Sequence, residues 1–263
     1  MGIIYWNTDP MLFEWSFLSI RWYGFLFAMA AVSGSVFLTK TFKKEKQPDR
    51  YVDRLVLFML LGTIIGARLG HTLFYDPSYY LSNPIEILKI WKGGLASHGA
   101  LVGVIVALII YSKTTANQPF LWVVDRIAVI SPLGAALIRL GNFFNSEIIG
   151  VPTQSDWGVV FMRVDSLPRH PAQLYEVFVY FVLFLIMLFL FSKKEITKRR
   201  GFLFGLFLVY VFSFRILIEF VKVNQAAFES ELSFKMGQIL SLPAILVGLV
   251  FMFLSFRGSK LQG

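Results

Sequence analysis

Seven stretches of roughly twenty mostly apolar residues follow one another along this chain, at about 17–38, 53–74, 94–112, 120–140, 173–192, 201–221 and 237–257, and each is long enough to cross a hydrocarbon layer roughly 30 Å thick. Inside lipid there is no water to satisfy a bare backbone, so such segments must bond internally as helices. The expected fold is therefore all-α: a polytopic membrane protein, a bundle of about seven transmembrane helices. Composition agrees, with 56% hydrophobic residues, 28 phenylalanines, only 16% charged residues and a mean hydropathy of +0.66, outside the profile of a soluble domain. Residues 1–263 are taken as a single integral-membrane domain with outward loops at about 75–93 and 141–172, of which only the second is long enough to fold alone.

Orientation follows from the basic residues beside those windows. Lys40, Lys43, Lys44, Lys46 and Arg50 follow the first, and Lys193, Lys194, Lys198, Arg199 and Arg200 follow the fifth. Both groups belong in the cytoplasm by the positive-inside rule, which puts the N-terminus outside and the C-terminus, with Arg257 and Lys260, inside. The net charge of +9 is largely these anchors, so topology and contact with anionic lipid explain it and nucleic acid is not expected as a partner. Cysteine is absent, which excludes disulfides, thiolate metal sites and a cysteine nucleophile on this chain.

With the topology set, the unusual polar residues fall at one depth, toward the outer leaflet. Arg21 and Tyr23 open the first helix, Arg68 and His71 close the second, His98 begins the third and Arg139 ends the fourth. His170 and Gln173 lead into the fifth, Arg215 and Glu219 lie in the outer half of the sixth, and Gln238 starts the seventh. Each has a plain structural explanation. Arg215 and Glu219 are spaced to pair on one helical face, Arg21 and Tyr23 suit an interfacial anchor, and a lone histidine is usually a packing residue. Charge inside a span costs at least about 2.5 kcal/mol per residue, however, and so many at one level favours a shared site.

Arginines gathered with asparagine and tyrosine donors suit a phosphate, because the guanidinium fork pairs two oxygens at once. At that depth the phosphate always present is a phospholipid headgroup. The glycines of "GNFFNSEIIG" and "SHGALVG" allow close backbone approach, and a nearby histidine can act as a general base near neutral pH. Other chemistries fit less well. His71, His98 and His170 are the only histidines and no H-E-x-x-H occurs, so no metal is expected. Ser97 adjoins His98, but helical neighbours point about 100° apart and cannot form a serine protease pair. A transporter would place its polar residues near the midplane, in repeated halves.

The stretch "RLGNFFNSEIIG" at 139–150 resembles the signature of the bacterial prolipoprotein diacylglyceryl transferase family, Gly-Arg-x-Gly-Asn-Phe-x-Asn-x-Glu-x-x-Gly. Arg139, Gly141, Asn142, Phe143, Asn145, Glu147 and Gly150 are in register, and Ile138 stands where the pattern has its first glycine. The resemblance extends, in order, to "RWYG" at 21–24, "GGLASHG" at 93–99, "HPAQLYE" at 170–176, "FRILIEF" at 214–220 and "MGQILSLP" at 236–243. It implies transfer of the diacylglyceryl group of phosphatidylglycerol to the lipobox cysteine of a prolipoprotein signal peptide, with a thioether formed and glycerol phosphate released. It also implies the bacterial cytoplasmic (inner) membrane, a site toward the outer leaflet, and no cofactor. Carried onto this chain, the resemblance makes His98, Arg139, Arg215 and Tyr23 the catalytic candidates, with His98 as base for the cysteine and the two arginines as phosphate clamp. Asn142, Asn145, Glu147, Gly150, Glu219, Arg68, His170 and Gln173 are the substrate-binding candidates. The alternatives are a phospholipid transporter or scaffold without catalysis and, behind it, a rhomboid-like intramembrane serine protease.

Overall fold

The computed structural model describes residues 2–16, 18–223 and 235–258; Phe17, where the first apolar window opens, and the basic anchor Lys260 lie outside them. Strands β1 (Ile4–Trp6), β2 (Met11–Trp15) and β3 (Leu18–Arg21) precede helix α1 (Trp22–Lys44) and helix α2 (Arg50–Phe74). Short helices α3 (Pro77–Ser82) and α4 (Ile85–Leu88) and a tight turn at Ile90–Lys92 lead to α5 (Ser97–Tyr111), which continues as a wider helical turn to Ala116. Then come α6 (Phe120–Asn145), β4 (Val159–Phe161), β5 (Pro168–Arg169), α7 (Ala172–Phe191), α8 (Lys194–Thr197) and α9 (Phe202–Ile218), the last closing in a tight turn at Glu219–Val221. Helices α10 (Met236–Ile239) and α11 (Ser241–Gly258) end the described chain.

Among the described residues six helices are long and apolar enough to cross a membrane. The seventh expected span, α2, has 25 residues and thus the length, but carries Arg50, Asp53, Arg54 and Arg68. The fold is that of an all-α polytopic membrane protein, and the differences from expectation sit at element ends. Helix α1 starts at Trp22 rather than near 17 because Leu18–Arg21 pairs with Met11–Trp15 in an antiparallel hairpin turned at Ser16, whose φ is +46°. It runs on past 38 to Lys44, since lysine stems can lie along an apolar layer while their ammonium groups reach water. Helix α5 starts at Ser97 rather than 94 because Gly93 and Gly94 take φ of +84° and +74°, outside any right-handed helix. Helix α6 continues through "RLGNFFN" to Asn145, so that cluster rides on the last helical turns and is not a loop; Ser146 and Ile148, at φ +56° and +55°, end it.

Contacts divide the chain into two compact units, Met1–Val36 with Asp125–Gly263, and Phe37–Val124. In Phe37–Val124, α2 and α5 pack antiparallel through glycines. A Cβ on Gly66 would lie 2.7 Å from Gly103 Cα, one on Gly70 the same distance from Gly99 Cα, and one on Gly62 would meet Ala107 Cβ. This is the small-residue helix packing that replaces hydrophobic driving force within lipid.

In the other unit, α9 and α11 cross at Gly205 and Gly248 in the same manner. The first turn of α9 is held by Asp125 on α6, whose carboxylate accepts the N–H of Gly201 at 2.7 Å and of Phe204 at 2.9 Å. A three-stranded sheet in the order β1-β4-β5, with β1 parallel to β4, closes the 146–171 excursion against the end of α6. Trp6 stacks on Phe143 with ring centroids 4.4 Å apart, and Phe143, Val159 and Phe161 form its buried core. That anchorage fixes the two ends of the segment that carries Gly150 and His170.

Candidate anion-binding site

Because α6 stays helical to Asn145, Arg139 and Asn142 lie one turn apart on one face, and an Arg139 terminal nitrogen donates to Asn142 Oδ1 at 3.1 Å. Asn142 Nδ2 in turn donates to Glu147 at 3.2 Å, as does Asn145 Nδ2. The turn at Ser146 brings Glu147 back toward the helix, its N–H bonding Asn142 O at 2.9 Å. Gln173, fully buried at the start of α7, donates to the Glu147 carbonyl at 2.5 Å. One hydrogen-bonded network therefore joins five of the expected residues. Gly141 lies against Tyr23, where a Cβ would come 2.9 Å from a ring carbon, so Tyr23 packs closely on the helix that carries Arg139.

Four residues absent from the expected set, Glu176, Lys222, Tyr180 and Lys235, complete the network. Glu176, buried on the first turns of α7, sits 3.1 Å from Arg139 Nε by one carboxylate oxygen and accepts from Lys222 Nζ at 2.9 Å by the other. The Arg139 contact is an ion pair without hydrogen-bond alignment, since that Glu176 oxygen has no hydrogen-bond partner. Tyr180 OH also reaches Glu176, at 3.4 Å, and lies within electrostatic range of both Arg139 and Arg215. Arg215 Nε stands 3.9 Å from Glu219, which is buried against Gly237. Lys235 donates to the carbonyls of Glu219, at 2.8 Å, and Lys222. Glu176 is the last residue of "HPAQLYE" and the only charge in α7, the signal that marks it in the sequence.

Among the described residues, four buried polar atoms in this region have no hydrogen-bond partner: Asn145 Oδ1, Gln173 Oε1, Glu176 Oε2 and Arg215 Nε. Buried polar atoms are nearly always paired, so this cluster beside the arginines marks a candidate binding site, with three acceptors suited to hydroxyl donors and one guanidinium donor suited to an anion. Gly150 closes one wall. Its N–H bonds His170 O at 3.0 Å, and a Cβ there would lie 2.8 Å from Val221 O. His170 Nδ1 lies 3.2 Å from Tyr175 OH, which also accepts from Trp157 Nε1 at 3.0 Å.

Two expected site residues, Arg68 and His98, belong to the unit Phe37–Val124. Arg68 is buried with its donors engaged: Nε to Ile87 O at 2.8 Å, one terminal nitrogen to Gly93 O at 2.6 Å and Gly94 O at 3.1 Å, the other to Glu86 O, under the Tyr80 ring. It fastens the loop that leads into α5. His98 is exposed on the first turn of α5, with no hydrogen-bond partner among the described residues, beside an apolar groove of about 960 Å³ between α2 and α5.

Spanning helices joined to a part-buried, arginine-led polar network define a class: an integral-membrane protein with a cationic cradle at the end of its helices. A family model described as prolipoprotein diacylglyceryl transferase matches residues 10–254. Relatives named phosphatidylglycerol–prolipoprotein diacylglyceryl transferase include one from Chloroherpeton thalassium, 47% identical over 98% of this chain and 97% of its own, and one from Tolumonas auensis, 47% identical over 97% and 98%. A relative of the same name from Bacteroides fragilis is 44% identical over 98% of this chain and 96% of its own. The chain belongs to the prolipoprotein diacylglyceryl transferase family.

Proposed function

We propose that this protein transfers the diacylglyceryl group of phosphatidylglycerol to the lipobox cysteine of a prolipoprotein signal peptide, acting as a single integral-membrane domain of the bacterial inner membrane with its site toward the outer leaflet. The family's signature falling on the residues that surround the orphaned polar atoms carries this proposal. The step is alkylation of sulfur. The thiolate attacks the glyceryl carbon, a C–S bond forms as the C–O bond to phosphorus breaks, and the electron pair leaves with glycerol phosphate. Two demands follow: the thiol, with a pKa of about 8.5, must lose its proton, and the charge growing on the phosphate must be met by fixed donors.

Arg139 and Arg215 meet the second demand as a clamp, with Tyr23, Asn142 and Asn145 as further donors to the headgroup and ester region. Glu147 holds both asparagine amides, Gln173 holds Glu147, and Gly150 and His170 form the wall through their paired backbone. Glu219 orients Arg215. Arg68 acts through the loop carbonyls it binds. His98 is the base for the cysteine, on the strength of its motif.

Purified protein is incubated with phosphatidylglycerol and a lipobox peptide, with a Cys→Ser peptide as control, and the products are read by mass spectrometry. Cysteine-dependent thioether and free glycerol phosphate are expected. Bound lipid with no product would leave a non-catalytic phospholipid binder instead.

A further inference from the structure

The network around Arg139 carries a definite charge. Through its hydrogen bonds and ion pairs it joins Arg139, Arg215, Lys222 and Lys235 to Glu147, Glu176 and Glu219. Among the described residues, four cations meet three carboxylates, so one positive charge is left over. A buried charge without a partner is costly, and the anion that fills this cradle with least residual charge is a monoanion. We propose that Glu176 sets the site to one net positive charge, and so selects a phosphodiester headgroup, with one negative charge, over a phosphomonoester lipid, with two. The proposal deepens the reading of phosphatidylglycerol as substrate and rests on it.

Glu176 is placed for this. Its side chain is 1% exposed and touches two cations at once, Arg139 at 3.1 Å and Lys222 at 2.9 Å, while Lys222 is 3% exposed. Lys222 has no other carboxylate at ion-pair distance among the described residues. Without Glu176 it would be a second surplus cation beside the phosphate clamp. With Glu176, the Arg139 guanidinium is held by its Nε and by one terminal nitrogen, on Asn142, and its other terminal nitrogen has no partner in the network. That free corner is what remains to meet an oxygen of the ligand. Glu176 is thus a positioning and selectivity residue that need not touch the lipid.

The test compares binding of short-chain phosphatidylglycerol and phosphatidic acid to the full-length protein in detergent at pH 8, by thermal shift against lipid concentration. Glu176→Gln is expected to move the ratio of the two dissociation constants toward phosphatidic acid by about tenfold, the scale of one added charge near the ligand. Glu176→Gln with Lys222→Met removes one charge of each sign and should return the ratio to the parent value. Lys222→Met alone, which covers the case that Glu176→Gln does not fold, should move it the other way. A folded Glu176→Gln with an unchanged ratio, or a double variant no closer to the parent than the single one, overturns the proposal; a merely structural role would weaken both lipids alike. Loss of thioether product in the parent protein would overturn the transfer reaction instead, and the two failures are read from separate assays.

Discussion

At the level of single residues the proposed clamp should depend on shape as much as on charge. Arg215 Nε lies too far from Glu219, at 3.9 Å, to be satisfied by it and has no hydrogen-bond partner among the described residues, so the guanidinium is held near the carboxylate with that donor unspent. Arg215→Lys keeps the charge and loses the planar fork. One charge-assisted hydrogen bond lost, about 1.5–3 kcal/mol, should lower kcat/KM for phosphatidylglycerol roughly 10- to 100-fold; parent-like kinetics would remove the bidentate clamp. His98→Gln should lower the rate of thioether formation by about 100-fold or more if the imidazole is the general base, and near-parent transfer would leave the cysteine activated by the arginines alone. The arginines and asparagines were legible in the sequence because each is a costly group inside or beside an apolar run. Glu176 is marked in the same way, as the only charge in α7, but its pairing with Lys222 is not legible: each looks like an isolated charge until the turn after α9 brings Lys222 Nζ to 2.9 Å from Glu176. Arg68 shows the converse. Its depth matched that of the other arginines, but position along a helix does not reveal that carbonyls of a later loop occupy its donors.

Among elements, backbone closeness is the controlling variable. Where α2 meets α5, a Cβ on Gly66 would overlap Gly103, so Gly66→Leu must separate two helices whose other contacts are tuned to near touching distance. Its unfolding temperature in detergent should fall by several degrees, whereas Gly24→Ala, with nothing within 4 Å of the added carbon, should leave it unchanged. Equal effects from both would argue against the glycine seam. The short strand β5 depends on charge. Arg169 holds the Asp165 carboxyl below the usual carboxylate range, with its Nε 3.0 Å away, and also donates to Gly150 O at 3.1 Å. Since the folded pKa is depressed, this stabilisation is complete above the unfolded value of about 3.9 and is lost as pH falls through the folded one. Protease cleavage within 146–171 should therefore rise only below about pH 4 in the parent, and already at neutral pH in Asp165→Asn. The strands themselves escaped sequence inspection because two to five residues are too few for a period to emerge, and their pairing joins Ile4–Trp6 to residues more than 150 positions later.

For the whole molecule, the remaining variable is which end of the helices faces out. Apolar runs determine that the chain crosses lipid, but a helix of leucine and phenylalanine is as stable in one direction as in the other, so direction comes from the charges at its ends. The clusters at Lys40–Lys44 and Lys193–Arg200 lie at the C-terminal ends of α1 and α7, and the excursion 146–171 joins α6 to the start of α7, at the opposite end of that helix from the second cluster. If those lysines and arginines are cytoplasmic, residue 156 is outside and residue 195 inside. The chain has no cysteine, so each introduced thiol is the only one present. Asp156→Cys and Glu195→Cys replace exposed side chains, and neither residue belongs to the proposed site. In intact spheroplasts a membrane-impermeant maleimide should label the first nearly completely and the second only after permeabilisation. The reverse pattern would invert the protein and put the arginine cradle on the cytoplasmic side, where a signal-peptide cysteine already carried across the membrane would be out of reach. Under the proposed reaction the orientation is therefore a condition on the chemistry as well as on the fold, since the lipid and the thiol would have to meet Arg139 and Arg215 on the same side.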